Sequence, residues 1–356
     1  MKILIVAPGP RYSTYDVFKY YTAAFTALGH EVKTFNYHDW YAYYLQASAL
    51  MKGVPAEDGS IQSLALRLSA DRALISIVKS LPDLILSISG IALPAEMWDW
   101  INTFRGNSKK RIATAVLFTE APYVDKWQLS ILEEIDFGLL MEKASLTKYQ
   151  AVNRNSIYVP HAYSEDMHYP RKRSGDYTAD VFMVGTGFPE RVDFLNSVDW
   201  HSIDLRLYGN WAASGKPAGD LERYTINRHL DNSEVPDWYS SSLSSLNIFR
   251  TVRWPGANLE HIGNAEAGSI SPRCFEIMAC GGVLFSDKRD ELLEMFVPGK
   301  DFVLFDSPED LRSKILYYKE NPEEAERIRL NALESVKGNS YRNRASDIMS
   351  FVEARI

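Results

Sequence analysis

The stretch that decides the fold is Ser271-Pro-Arg-Cys-Phe-Glu-Ile-Met-Ala-Cys-Gly-Gly-Val-Leu-Phe-Ser286. It reads as a short helix, a glycine stop and a buried strand. Ser271 suits the N-cap and Pro272 the first helical position, where a missing N–H costs nothing. Phe275, Met278 and Ala279 recur at helical spacing and mark the packed face. Gly281 and Gly282 end the helix and turn the chain into the apolar run Val283-Leu284-Phe285. Arg273 and Glu276 are then charges on a helix that begins at the end of a loop. In an open parallel sheet such helix starts line the ligand crevice, and their N–H groups attract phosphate.

The same alternation runs through the chain. In the first half, strands are expected at Ile3–Ala7, Val32–Phe35, Asp83–Ile88, Ile112–Phe118, Phe137–Met141 and Ile157–Val159. Helices are expected at Ser13–Leu28, near Ile61–Ser80 and at Ala95–Phe104. Continuous apolar strands between amphipathic helices mean an α/β fold with parallel sheets covered on both faces. The polar segment Pro160–Gly175, with its basic cluster Arg171-Lys-Arg173, breaks the rhythm and reads as a linker. A second series then begins, with strands at Asp180–Gly185, Ile203–Tyr208 and Ser245–Phe249 and helices at Pro189–Val198 and Pro236–Ser241. Beyond the opening stretch, Asp290–Phe296, Phe302–Phe305 and Glu309–Glu320 continue it, and Pro322–Val336 and Tyr341–Ala354 are terminal helices. The expected division is 1–162 as a Rossmann-like domain, 163–179 as linker, 180–338 as a second Rossmann-like domain and 339–356 as a C-terminal helix.

Bulk properties fit this picture. At 356 residues, two cores are expected rather than one. The net charge of −7 gives no overall field for a polyanion. The two cysteines, Cys274 and Cys280, lie too far apart along one helix for a disulfide and read as small core residues in a reducing, cytoplasmic setting. No run of about 18 apolar residues suggests a membrane span, and no metal-ligand cluster is evident.

The opening stretch, with its wording Arg-x-Phe-Glu-x-x-Ala-x-Gly-Gly, resembles the donor-binding helix of GT-B glycosyltransferases, most closely the group related to the CgeB spore-maturation proteins. The resemblance is strongest over residues 180–345. It implies two Rossmann-like domains facing a cleft, with the last helix crossing back to the first domain. It also implies a nucleotide-sugar co-substrate, taken as UDP-linked, and no other cofactor or metal. In that fold the helix glutamate accepts from the donor ribose hydroxyls, a role that falls on Glu276, while Ser271, Pro272 and Arg273 fall at the diphosphate.

Further donor contacts are expected at the strand ends of the second half. Gly185, Thr186 and Gly187 would let the backbone approach a ligand closely, and Arg191 would reach a phosphate from the following helix. The family carries an arginine at about this distance. Asn210 and Trp211 close the next strand, where the resemblance suggests stacking of Trp211 on a base. Asn247 and Arg250 end another strand, and His261 lies in the long loop 254–270. One departure stands out: the glycogen-synthase-like enzymes carry a second glutamate eight positions earlier, and here that position is Gly268, with Glu266 out of register.

In the first half, Pro8, Gly9 and Arg11 follow the first strand and would face the cleft. Thr119-Glu-Ala-Pro-Tyr123 follows another. Glu120 is the candidate general base or acceptor contact, with Tyr123 and His161 as further cleft candidates. The expected activity is sugar transfer to an acceptor that could be DNA, protein or a small molecule. Alternatives are a phage-type DNA-modifying enzyme, a silent nucleotide-sugar-binding module and an epimerase.

Overall fold

A computed structural model describes residues 1–9, 14–89, 95–172, 177–212, 219–250 and 267–356. The described residues divide into two compact units, one holding those of 1–160, Ala267 and 341–356, the other those of 161–250 and 268–340.

The first unit alternates strands and helices: β1 Lys2–Val6, α1 Tyr15–Ala27, β2 Glu31–Phe35, α2 Tyr37–Lys52, α3 Gly59–Ser80, β3 Leu84–Ile88, α4 Ala95–Asn107, β4 Ala113–Phe118, α5 Asp125–Leu132, β5 Phe137–Leu140, α6 Leu146–Val152 and β6 Ser156–Tyr158. The strands form one parallel sheet in the order β2-β1-β3-β4-β5-β6. Every residue of β3 and β4 is buried, which is why these strands read as mainly apolar runs with no polar alternation.

The first unit departs from the expected layout at helices α5 and α6, which the sequence reading did not place, and at α1 and α2. Helix α1 begins at Tyr15, and Ser13, where the helix was expected to begin, lies outside the described residues. Helix α2 was not expected at all. Asn36 caps it by accepting from the His38 N–H at 3.2 Å. It buries only Tyr37, Ser48 and Ala49 among its own residues and packs as a hairpin against α3. Tyr37, Trp40, Tyr41 and Tyr44 recur at helical spacing on one face, with Trp40 and Tyr41 packed against the core, a pattern that the sequence reading passed over.

The second unit continues with β7 Val181–Thr186, α7 Pro189–Asn196, β8 Leu205–Asn210, β9 Thr225–Ile226, α8 Val235–Ser241, β10 Ser244–Asn247, α9 Pro272–Ala279, β11 Leu284–Ser286, α10 Asp290–Met295, β12 Val303–Leu304, α11 Pro308–Glu320 and α12 Pro322–Ser335. Its parallel sheet runs β12-β11-β10-β7-β8-β9. The order reverses between β7 and β10, so their C-terminal ends flank the topological switch point, where open α/β sheets bind ligands.

Helix α13, Tyr341–Glu353, belongs to the first unit. Tyr341 packs edge-on against Tyr21 of α1 at 5.1 Å, and Phe351 against Phe137 of β5 at 5.8 Å. The segment read as a linker begins, instead, as part of the second unit. Tyr163 bridges to Ser340, and the Arg171 N–H donates to Ser240 Oγ at 3.0 Å. Residues 173–176 lie outside the described residues. Among the described residues, no helix is long and apolar enough to cross a membrane.

Candidate functional site

The second unit gathers its charged candidates at the switch point. Helix α9 starts as the sequence predicts, with Pro272 at its first position and Ser271 extended before it. The Ser271 hydroxyl does not cap the helix. It donates to Asn247 Oδ1 at 2.8 Å, from the end of β10. The same oxygen accepts from Arg273 Nη1 at 3.0 Å, while Asn247 Nδ2 donates to Ser286 Oγ at 3.1 Å at the end of β11. Asn247 is fully buried. It ties β10, β11 and the start of α9 together, so its role differs from the direct ligand contact expected of it.

Arg191 reaches the same place from α7. Its Nε donates to the Ile248 carbonyl at 2.8 Å and its Nη1 to the Thr186 carbonyl at 3.0 Å. Burial, and then the neighbouring Arg273 guanidinium, push its pKa down to about 9, which leaves it a cation at neutral pH. The Arg273 charge also acts on the buried Tyr239 phenol, whose pKa it lowers against the larger raising effect of burial. Two guanidiniums thus lie close together, and the hydrogen bonds described for them end on two carbonyls and an amide, all neutral. Such bonds orient a cation without cancelling its charge, and the nearby carboxylates of Glu190 and Asp287 help to keep Arg191 charged.

Gly185 lies against both. A side chain there would begin 3.2 Å from Arg273 Nη2 and 3.7 Å from Arg191 Nη1. Its register partner on β8, Gly209, has φ of +113°, and a side chain there would collide with the Gly185 carbonyl. Arg250 completes the group: its guanidinium lies 5.4 Å from the Phe188 ring centroid, and that of Arg191 lies 5.1 Å from the same centroid. The structure therefore brings together Gly185, Thr186, Arg191, Asn247, Arg250, Ser271, Pro272 and Arg273.

Glu276, one turn along α9, is half-buried. Its carboxylate lies 3.9 Å from His168 Nε2 and helps to raise the pKa of Tyr239 well above its ordinary value, an effect led by burial. Trp211 departs from expectation. It is fully buried, its indole N–H donates to the Tyr208 carbonyl at 3.0 Å, and its backbone N–H donates to Asn227 Oδ1 at 3.0 Å. It packs in the core of the unit and is not placed to stack on a base. A side chain at Gly187 would meet the Trp211 backbone at 2.8 Å and its indole at 2.9 Å, so that glycine lets Trp211 pack closely. Asn210 is exposed at the end of β8, and its carbonyl accepts from the Gly187 N–H at 3.0 Å.

His161 belongs to this unit too. It is half-buried, with Nδ1 inside and unpartnered, and burial pushes its pKa down to about 4. His261 and Glu266, like Arg11 in the first half, lie outside the described residues. In the first unit, Pro8 and Gly9 are buried just past β1. Glu120 follows the end of β4, half-buried, and its carbonyl accepts from the Tyr123 N–H at 2.9 Å in a tight turn.

Three residues of the second site escaped the sequence. Tyr239, on α8, reads as a core aromatic. His168 sits in the segment read as linker. Asp287 follows β11 directly, a strand-end position of the kind that drew attention to Asn247. Its carboxylate accepts from the Phe249 N–H at 3.1 and 3.2 Å, and burial raises its pKa to about 6 against the lowering effects of that N–H, Arg289 and Arg191. Among the described residues, no group of three or more His, Cys, Asp or Glu is placed to hold a metal ion.

Residues 191–350 match a protein family described as glycosyl transferase-like. No curated protein matches the chain in sequence. Solved structures match it in fold. Sucrose-phosphate synthase from Thermosynechococcus elongatus is 12% identical, with 99% of this chain and 98% of that one covered and a TM-score of 0.65. Anabaena HepE in complex with UDP-glucose is 10% identical, with 99% and 100% covered and a TM-score of 0.61. An alpha-glucosyltransferase in complex with UDP and a 13-mer DNA containing an HMU base is 13% identical, with 99% of each chain covered and a TM-score of 0.65.

Proposed function

We propose that this chain, a glycosyltransferase of the GT-B fold, takes its sugar from a UDP-linked donor held in the second unit. The observation that carries the reading is the pair of adjacent guanidiniums, Arg191 and Arg273, fixed by neutral acceptors beside Gly185 at the switch point. A sugar nucleotide presents a diphosphate there, and its negative charge grows as the glycosyl bond breaks. Oriented cations and the N-terminus of α9 would stabilise that leaving group. Glu276, further along the helix, would accept from the ribose hydroxyls. The UDP and UDP-glucose bound by structures of the same fold support uridine as the base.

Glu120 of the first unit is proposed to act on the acceptor, as base or as an orienting carboxylate. Transfer is proposed to need no metal, because arginines stand where a cation would be required. The CgeB-like group and a cytoplasmic setting remain part of the reading. DNA is a second reading for the acceptor, favoured by the DNA bound in the alpha-glucosyltransferase complex. Calorimetry with UDP, uridine and pyrophosphate tests the donor site: UDP and pyrophosphate should bind and uridine should bind far more weakly. Equal affinity for UDP and uridine would remove the diphosphate reading. Transfer from UDP-glucose to hydroxymethylated DNA, against undecorated DNA as control, tests the second reading.

A further inference from the structure

The segment leaving the first unit folds back onto the donor helix and is fixed there at several points. Arg171 donates through its backbone to Ser240 Oγ, which in turn donates to the Cys280 carbonyl at 2.8 Å, at the end of α9. Pro170 lies where a side chain at Gly281 would make ordinary contact. Between these anchors and the Tyr163–Ser340 bridge, residues Ser164–His168 form one turn, with the His168 N–H donating to the Ser164 carbonyl at 2.7 Å. The imidazole closes the turn in the other direction: the Ser164 N–H donates to His168 Nδ1 at 3.0 Å.

That hydrogen bond decides the tautomer. An Nδ1 that accepts carries no proton, so the proton of the neutral ring sits on Nε2. The ring is almost wholly buried. Burial, and then the Arg171 charge, push its pKa down to about 4, so it is neutral at physiological pH. Its Nε2 faces Glu276 Oε1 at 3.9 Å. The carboxylate therefore faces a neutral N–H across 3.9 Å, a gap that a small rotation of the Glu276 side chain closes to hydrogen-bond length without neutralising its charge.

We propose that His168 is a positioning residue for donor recognition: its Nε2–H engages one oxygen of Glu276 and turns the carboxylate so that it accepts from the ribose hydroxyls. The proposal rests on the reading of Glu276 as the ribose contact. It assigns part of the specificity for a ribonucleotide to a segment outside the nucleotide-binding sheet.

The chemistry of the two ring nitrogens supplies the test. An asparagine places its side-chain oxygen near the position of Nδ1, so His168→Asn keeps the Ser164 turn and loses the donor. A glutamine places its amide nitrogen near the position of Nε2, so His168→Gln keeps the donor. Affinities for UDP, 2′-deoxy-UDP and pyrophosphate are measured by calorimetry. The wild-type preference for UDP over 2′-deoxy-UDP should fall by about tenfold in His168→Asn, a change of about 1.4 kcal/mol, with pyrophosphate affinity unchanged. His168→Gln should retain most of the preference. Adding His168→Asn to Glu276→Ala should cause no further loss.

An unchanged preference in folded His168→Asn overturns the proposal. So does an equal loss for UDP and pyrophosphate, which marks a structural role, or a preference that falls alike in the Asn and Gln variants. If Glu276→Ala itself keeps the wild-type preference, the ribose role of Glu276 fails and the proposal fails with it. If only Glu276→Ala loses the preference, the donor reading stands and His168 has no part in it.

Discussion

Arg273 donates to Asn247 through a 3.0 Å hydrogen bond whose acceptor is a fully buried amide oxygen. The same oxygen takes the Ser271 hydroxyl at 2.8 Å, so one side chain sets both the guanidinium and the start of α9. Arg273→Ala should weaken UDP by about 1.5–3 kcal/mol, the range for a charged hydrogen bond, and leave uridine nearly unaffected. Asn247→Ala should also cost stability of about 1–3 kcal/mol, because it strands buried partners. Calorimetry and chemical denaturation separate the two effects. Equal losses for UDP and uridine in Arg273→Ala would place the arginine outside the diphosphate site.

Gly185 tests how closely the cradle is fitted. The added methyl of Gly185→Ala would press on Arg273 Nη2, the far end of a flexible side chain. The fold can accommodate that by moving the guanidinium, so stability should change by under about 1 kcal/mol. The displaced charge should weaken UDP by tenfold or more, about 1.4 kcal/mol. A variant that binds UDP as tightly as the wild type would show that the position of Arg273 does not matter to the donor.

Stability should fall as the pH drops from 6.5 to 4. His161 and His168 are both pushed down from 6.5 to about 4 by burial. Between these values the unfolded chain binds more protons than the folded one, so acid favours unfolding. Asp287 has the opposite sign. Its pKa is raised from 3.8 to about 6, so the folded state holds the extra proton over that window and this group favours folding as the pH falls. Two histidines oppose one carboxyl, and the net slope is a loss on acidification. Asp287→Asn removes the opposing contribution and should steepen the loss between pH 6 and 4. Denaturation curves across that range check this, and a shallower slope in the variant would contradict it.

Much of the fold is legible because burial leaves a pattern. Strands β3 and β4 are covered on both faces and read as apolar runs interrupted only by Ser87 and Thr114. The start and stop of α9 are set by local chemistry at Ser271, Pro272 and Gly281. Helix α2 was missed although Tyr37, Trp40, Tyr41 and Tyr44 stand at helical spacing, because its packed face is built of half-polar aromatics rather than aliphatic residues. At the site, strand-end position identifies residues near the ligand but not the direction of their side chains. Asn247 turns inward to neighbouring elements, and Trp211 turns into the core through the space that Gly187 leaves. His168 was hidden for another reason: a polar, proline-containing run looks like a linker, and only tertiary contacts return it to α9.

Activity is expected to survive chelation. In the proposed site, guanidiniums and the α9 N-terminus offset the charge of the departing diphosphate, the part a divalent cation plays in other phosphate sites. Transfer assayed after dialysis against EDTA should match the untreated rate. Loss on chelation that manganese or magnesium restores would mean that the arginines do not suffice.

Glu120 carries the last prediction. It follows the C-terminal end of β4, the end at which parallel sheets present functional side chains, and the turn that its carbonyl closes with Tyr123 holds it there. It lies in the first unit, whereas every proposed donor contact lies in the second. The two roles should therefore separate in one variant. Glu120→Gln keeps the shape and removes the basicity. If the carboxylate draws a proton from the acceptor hydroxyl, turnover should fall by about 10²–10⁴-fold, while calorimetric affinity for UDP stays at the wild-type value. A loss that affects KM for the acceptor with kcat preserved would mark an orienting contact instead, since uniform binding lowers KM without speeding the chemical step. Transfer at the wild-type rate and KM would exclude both and leave Glu120 as a residue that shapes its turn.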